Sequence, residues 1–215
     1  RRSTKEKCNM CSITAILNAD APADELRATA LAISKRQRHR GPDWSGVFQH
    51  ERAVLAHERL AIVDVTSGAQ PLLDPETGTA LAVNGEIYNH KKLRAQTTSF
   101  PYQTGSDCEV ILSLYRAHGR ELAHHLEGMF AFVLYDVEND TWLIGRDPIG
   151  IIPLYYGHTA DGALVVASEM KGIEPLCEDV SEFPPGHVWS SEDAAPTRYY
   201  NEAWMDWEKA PKQAY

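Results

Sequence analysis

Cys11 is the residue whose chemistry asks most of its surroundings. It opens an apolar run, residues 11–17, directly after Met10. A thiol attacks carbon only as the thiolate, and a free cysteine is mostly protonated at neutral pH, so catalysis needs a base close by. An α-amino group has a reference pKa of about 7.7–8.0. Were Met10 removed, Cys11 would carry such an amine on the same residue as its thiol. The plainer alternative is a small buried hydrophobe on a strand, the usual fate of a single cysteine. Three tight segments weigh against it: Arg40-Gly41-Pro42-Asp43, Asn84-Gly85-Glu86 and Gly105-Ser106-Asp107. Each gathers charged or amide groups at the end of an expected strand or helix, where irregular backbone commonly hosts function.

The elements that must position these groups follow from periodicity. Residues 11–17 predict a strand, closed by the turn formers Asn18 to Pro22. Residues 23–37 set Leu26, Ala30, Ile33 and Gln37 on one face at helical spacing, with Asp24 and Glu25 in the first turn and Lys35 and Arg36 near the end, the charge order a helix dipole favours. Short strands are expected at 44–49, 53–57 and 60–63. A loop at 64–78 leads to a strand at 79–83 that should stop at Asn84-Gly85-Glu86. Helical patterns occupy 89–95 and 109–117. A hairpin is expected from 129–135 and 141–145 about a turn at 136–140, with further strands at 152–156 and 163–167. Strands at both ends with helices grouped between predict an α+β fold on antiparallel sheet. After Arg198 the tail, with Tyr199, Tyr200, Trp204, Trp207 and Tyr215, loses any such rhythm and suits contact with another domain.

Composition narrows the function classes. The 215 residues hold 21 Lys and Arg against 30 Asp and Glu, a formal charge of −9, which argues against a nucleic-acid binder that depends on a basic face. With 43% apolar and 24% charged residues the chain is globular rather than disordered. Its longest strongly apolar stretches, 13–17 and 129–135, fall far short of the roughly 18 residues that span a bilayer, so no membrane partner is expected. The basic start lacks a small-residue cleavage site, and four scattered cysteines do not make a disulfide framework; a reducing cytoplasm is expected. Cys8-x-x-Cys11 allows a zinc or thiol-redox reading. A closed zinc site wants four ligands in close pairs, and neither Cys108 nor Cys177 has a partner at pair spacing, so no metal is expected. A redox pair would show as a reversible Cys8–Cys11 disulfide. His124 and His125 read as solvated polar positions.

A family resemblance rests on ordered strings: Met10-Cys11-Ser12-Ile13, Arg38-His39-Arg40-Gly41-Pro42-Asp43-Trp44-Ser45-Gly46, His57-Glu58-Arg59-Leu60-Ala61-Ile62-Val63-Asp64, Asn84-Gly85-Glu86-Ile87-Tyr88-Asn89-His90 and Thr104-Gly105-Ser106-Asp107-Cys108-Glu109. It continues through Gly128-Met129-Phe130-Ala131-Phe132, Gly145-Arg146-Asp147, Gly150-Ile151-Ile152-Pro153-Leu154-Tyr155, Ala167-Ser168-Glu169-Met170-Lys171 and Phe183-Pro184-Pro185-Gly186-His187. Together they resemble the glutaminase domain of glutamine-dependent asparagine synthetases, a class II glutamine amidotransferase. The resemblance implies an N-terminal-nucleophile hydrolase fold, two antiparallel sheets between helical layers. The activity implied is hydrolysis of the L-glutamine side-chain amide to glutamate and ammonia through a Cys thioester.

Carried over by position, Cys11 resembles the nucleophile, with its own amine as proton acceptor and donor. The Asn84 amide and the Gly85 N–H resemble the oxyanion hole. Arg59 resembles the clamp for the substrate carboxylate, a task suited to a planar fork of donors. Glu86 and Asp107 resemble the partners of its ammonium, with Leu60, Ala61, Ile62 and Val63 lining the pocket. A zwitterionic substrate needs one cation, one or two carboxylates, a nucleophile and an oxyanion site, and these residues supply each. Taken singly, Arg59 also fits a surface ion pair, Asp107 a helix cap and Asn84-Gly85 a turn.

The resemblance further implies that residues 1–10 are removed in the active form, that 11–198 form the amidotransferase domain and that 199–215 lead to a synthetase domain not contained here. No Gly-rich phosphate loop occurs in the sequence, so this domain is expected to need no cofactor. ATP and Mg belong to that synthetase domain, joined in cis or in trans, which would amidate aspartyl-AMP in asparagine biosynthesis. A homodimer is a further expected partner state. With residues 1–10 attached, the Cys11 nitrogen is an amide without a basic lone pair, and the alternative is an inactive glutamine-binding or interaction module with Cys11 blocked.

Overall fold

The run Ser12–Leu17 is buried at all six positions, which a strand achieves only when both its faces are covered. Its side chains divide by the strand's period of two. Ile13, Ala15 and Leu17 enter one apolar cluster and Ile16 enters another. This strand is therefore central, and the layers are built outward from it. The structure is a computed structural model that describes residues 10–60 and 69–202.

In chain order the elements are β1 (Ser12–Leu17), α1 (Ala23–Arg36), β2 (Trp44–His50), β3 (Ala53–Arg59), β4 (Leu72–Leu73), β5 (Ala80–Ile87), α2 (His90–Gln96) and α3 (Val110–His118). There follow β6 (Gly128–Asp136), β7 (Thr141–Arg146), β8 (Tyr155–His158), β9 (Leu164–Ala167), α4 (Met170–Ile173), β10 (Asp179–Glu182), β11 (His187–Ser190) and β12 (Thr197–Arg198). They form two six-stranded sheets, ordered β10-β8-β9-β1-β3-β2 and β12-β11-β7-β6-β5-β4. The paired strands run antiparallel, with Ile13 opposite His57 in the first sheet and Asn84 opposite Ala131 in the second.

Four layers result. Leu26, Ala30 and Ile33 of α1 and Ile173 of α4 pack on Ile16, Val54, Val165 and Ala167 of the first sheet. Ile13, Leu55, Ala82, Val133 and Ile144 fill the space between the sheets. Leu93 of α2 and Ile111 and Leu114 of α3 cover Val83, Phe130 and Phe132 on the far side. Each fully buried Leu or Ile contributes about 1.5–3 kcal/mol relative to exposure, so both sheets are held on two faces. This is the expected α+β sandwich.

Three expectations need correction. The strand at 79–83 does not stop at Asn84-Gly85-Glu86: β5 runs through all three to Ile87, and Asn84 to Ile87 pair with Ala131 to Gly128. Gly85 makes this possible, because its φ is +139° and a Cβ there would lie 2.0 Å from the Met129 carbonyl oxygen. The segment 152–156 is strand only from Tyr155. Before it, the Asp147 carboxylate accepts the N–H groups of Ile149, Ile151 and Ile152, which holds that stretch as an ordered loop. The helix expected from Glu109 begins with a 3-10 turn, Asp107–Glu109, and its cap is Ser106, whose hydroxyl accepts the Cys108 N–H. Leu60 lies just past β3, and the rest of the strand expected at 60–63 falls outside the described residues, as do residues 1–9 and 203–215. His124 and His125 are exposed, as expected, with the His125 ring stacked on His118.

Candidate active site

β1 and β3 in the first sheet face β5 in the second, and where these strands end a cleft of about 180 Å³ opens. Cys11, Arg59, Leu60, Asn84, Gly85, Glu86 and Asp107 all line it, with Gln70 and Cys108 beside them. Residues separated by almost a hundred positions are thus brought to one surface. Ala61, Ile62 and Val63 fall outside the described residues.

Cys11 sits immediately before β1, anchored from three sides. The Arg40 Nε–H donates to its carbonyl at 3.1 Å. The Leu60 N–H points at Sγ at 3.3 Å, and the thiol in turn points at the Leu60 carbonyl at 3.6 Å. Burial raises the thiol's pKa, and the Leu60 N–H with the Arg59 and Arg40 charges opposes that rise only in part. The resting group is therefore the thiol, and a base must take its proton for attack. Gly41 lets the Arg40 loop reach this position: a Cβ there would lie 2.2 Å from the Glu58 carbonyl oxygen of β3.

On the facing wall Asn84 is 2% exposed, and its Nδ2 has no hydrogen-bond partner among the described residues. Leaving a buried donor unmet costs about 1–3 kcal/mol. Asn84 lines the cleft, so this unmet donor belongs to its wall. Arg59, at the end of β3, is 7% exposed and lines the cleft, so it is a buried cleft residue rather than a surface one. Asp107 is buried, and its Oδ2 accepts the Ile87 N–H at 2.7 Å. That bond ties the 105–107 loop to the end of β5.

The same loop is shaped by a residue that sequence reasoning left out of the site. Glu109, nearly inaccessible, accepts the Gln103 N–H at 2.6 Å and the Thr104 N–H at 2.9 Å, and Arg94 of α2 donates to it at 3.2 Å. Arg94 also donates to the carbonyls of Thr104 and Ser106. Gln70, Cys108, Met129 and Ile152 line the cleft as well. Met129, Cys108 and Ile152 stand inside strings of the family resemblance, which was the available signal for them; Gln70 stands outside every string. Cys11, Cys108 and Cys177 are free thiols. Cys8, and with it the redox pair, lies outside the described residues. Among the described residues no group of three His, Cys, Asp or Glu side chains is placed to hold a metal ion.

A four-layer sandwich with a cysteine at the start of a central strand, facing an unpartnered amide, defines a class of amide-handling domain, and the chain belongs to the glutamine amidotransferase domain family, whose pattern matches residues 10–182. Its relatives include glutamine-hydrolyzing asparagine synthetases. It is 53% identical over 200 residues to asparagine synthetase B (glutamine-hydrolyzing) of Escherichia coli K12, covering 93% of this chain and 36% of that protein. It is 48% identical over 206 residues to asparagine synthetase (glutamine-hydrolyzing) 2 of Arabidopsis thaliana, covering 96% and 36%. The chain thus spans about a third of the length of these curated relatives. Two solved structures share the fold. The allosteric regulatory enzyme of purine biosynthesis aligns with a TM-score of 0.74 at 22% identity, over 89% of this chain and 50% of that one. The glutamine phosphoribosylpyrophosphate amidotransferase of B. subtilis aligns at 0.70 and 20%, over 87% and 48%. The arrangement expected from the resemblance, two antiparallel sheets between helical layers, is the fold found.

Proposed function

We propose that this domain hydrolyses the side-chain amide of L-glutamine and delivers the ammonia to an ATP-dependent synthetase domain that amidates aspartyl-AMP. The observation that carries the reading is the buried, unpartnered Asn84 amide in one cleft with the Cys11 thiol. Arg59 holds the substrate α-carboxylate and Asp107, with Glu86, its ammonium, which sets the amide carbon against Sγ. With Cys11 as the first residue, its free amine takes the thiol proton as the S–C bond forms. The carbonyl oxygen gains charge between the Asn84 Nδ2–H and the Gly85 N–H. The C–N bond then breaks, the same proton passes to the leaving nitrogen, and ammonia departs. Water then attacks the thioester carbon, giving its proton to the same amine; the C–S bond breaks, the proton returns to sulfur, and glutamate leaves. Fixed donors of this kind act on charge that exists only in the transition state, so they raise rate rather than affinity.

The residues in the cleft suffice for this chemistry without a metal or cofactor, ATP and Mg serving the synthetase domain. We place the protein in the cytoplasm, where free cysteines stay reduced, and infer a homodimer of the full-length protein. No helix among the described residues is long and apolar enough to cross a membrane.

The test is ammonia release from glutamine by two forms, one carrying the upstream peptide and one beginning at Cys11. The second form is expected to be active and the first silent, with Cys11→Ala reducing the active form to background while glutamine still binds. Glutamine binding without turnover by the form beginning at Cys11 would instead establish a binding module.

A further inference from the structure

β4 is only two residues long, and it pairs with β5 only at Ala80 and Leu81. Beyond that point the outer edge of β5 has no strand neighbour among the described residues, yet the next groups to be satisfied belong to Val83, immediately before Asn84. Both are met by side chains. The Nε2 of His57, on β3 of the opposite sheet, lies 3.0 Å from the Val83 carbonyl oxygen. The Oε1 of Gln70 accepts the Val83 N–H at 2.8 Å. A carbonyl only accepts, so the imidazole proton sits on Nε2. His57 is 0% exposed, and burial pulls its pKa down to about 4, which keeps the ring neutral in this role.

The Val83 N–H belongs to the peptide plane entering the residue and the carbonyl to the plane that joins it to Asn84. Holding both planes fixes the two backbone dihedrals of Val83. The direction in which the Asn84 side chain leaves the strand is set from there. Neither clamp is a ladder bond: one crosses between the sheets, and the other comes from the segment leading into β4.

Given that Asn84 and Gly85 form the oxyanion site, we propose that His57 and Gln70 are positioning residues for it, clamping the Val83 peptide groups so that the Asn84 Nδ2–H points where negative charge develops. His57 does not touch substrate in this role and acts only through Val83. Gln70 lines the cleft, but its Oε1 is committed to Val83.

The experiment uses the full-length protein with Cys11 free at its amino terminus and compares Gln70→Met, which loses the acceptor, with Gln70→Glu, which keeps it. His57→Leu and His57→Gln are the matching pair for the donor. Turnover, KM and the inhibition constant of glutamate γ-semialdehyde are measured per folded molecule. That aldehyde adds the thiol across its carbonyl: the S–C bond forms, the C=O π bond opens, and the resulting oxygen occupies the oxyanion site. Gln70→Met and His57→Leu are expected to lower kcat about 3- to 10-fold, the worth of one net hydrogen bond. The aldehyde should weaken by the same factor and KM should stay within about 2-fold, with the conservative variants recovering kcat. A residue that served stability alone would shift the melting temperature and leave kcat per folded molecule and the aldehyde constant unchanged. Gln70 is half-buried, so its pair carries the test should His57→Leu fail to fold. Asn84→Ala is the control. If it slows turnover while the clamp variants do not, the positioning role is overturned; if it leaves kcat unchanged, the oxyanion reading falls and this proposal with it.

Discussion

On the first-sheet wall of the cleft the surroundings of Cys11 are tied down by ions. Arg40 bridges the Cys11 carbonyl and the Glu169 carboxylate, and the buried Glu58 accepts the hydroxyls of Ser34 at 2.7 Å and Ser45 at 2.6 Å. On the second-sheet wall the strand carrying Asn84 and Gly85 is held at Val83 by a neutral imidazole and an amide and elsewhere by ordinary ladder bonds; beside it Asp107 and Glu109 accept backbone N–H groups, Glu109 also pairing with Arg94. Under the proposed reading the contrast has a use. Fixed charge near the thiol biases its proton, whereas the donor proposed for a transient oxyanion is aimed by hydrogen bonds from the uncharged His57 and Gln70. Each wall should therefore fail in its own way.

The largest difference is expected for Asn84→Ala. Turnover should fall about 10²- to 10³-fold with KM nearly unchanged, as for loss of one oxyanion donor. Steady-state kinetics checks this, and a change carried mainly in KM would move Asn84 to the substrate-holding role. Next is the acid sensitivity of the neutral wall. His57 has a folded pKa of about 4 against an ordinary 6.5, so the unfolded chain binds the extra proton first on acidification. Stability from this group is full above pH 6.5 and is lost as pH falls from there towards 4. The loss amounts to about 3 kcal/mol for a fully buried ring. Urea melts across that window should show the slope, and His57→Gln should flatten it. Smaller still, Asp107→Asn keeps an oxygen for the Ile87 N–H but gives up the charge facing the substrate ammonium. KM should rise about 10- to 100-fold with kcat little changed, and an equal fall in kcat would show that Asp107 also shapes the oxyanion site.

Much of this site was legible because its motifs are short and contiguous. Cys11, Arg59, Asn84, Gly85, Glu86 and Asp107 were named from their strings, and the structure brings all six to one cleft. The central strand and the β6–β7 hairpin were legible as short apolar runs bounded by turn formers, and α1 from apolar residues at helical spacing. What was lost has a common cause. Asn84-Gly85 carries the composition of a turn, and only its pairing with Ala131 and Phe130 shows it to be strand. β4 and β12 are two residues long, and β10 is mostly exposed, too little pattern to read. The clamps on Val83 join residues 26 and 13 positions apart through single hydrogen bonds, which leave no periodic trace. Tyr199, assigned to the tail, has its hydroxyl on the Arg146 carbonyl and its ring against the α3-side core; the aromatic character there serves packing within the sandwich.

Met10 lines the same cleft as Cys11 and packs against the inter-sheet core. Were the bond between them cut, as the proposed reading requires, two things would change together: a lone pair would be freed on the Cys11 nitrogen, and a thioether would leave the wall of the cleft. The unreactive and the reactive chain should therefore differ in the shape of the cleft as well as in its chemistry.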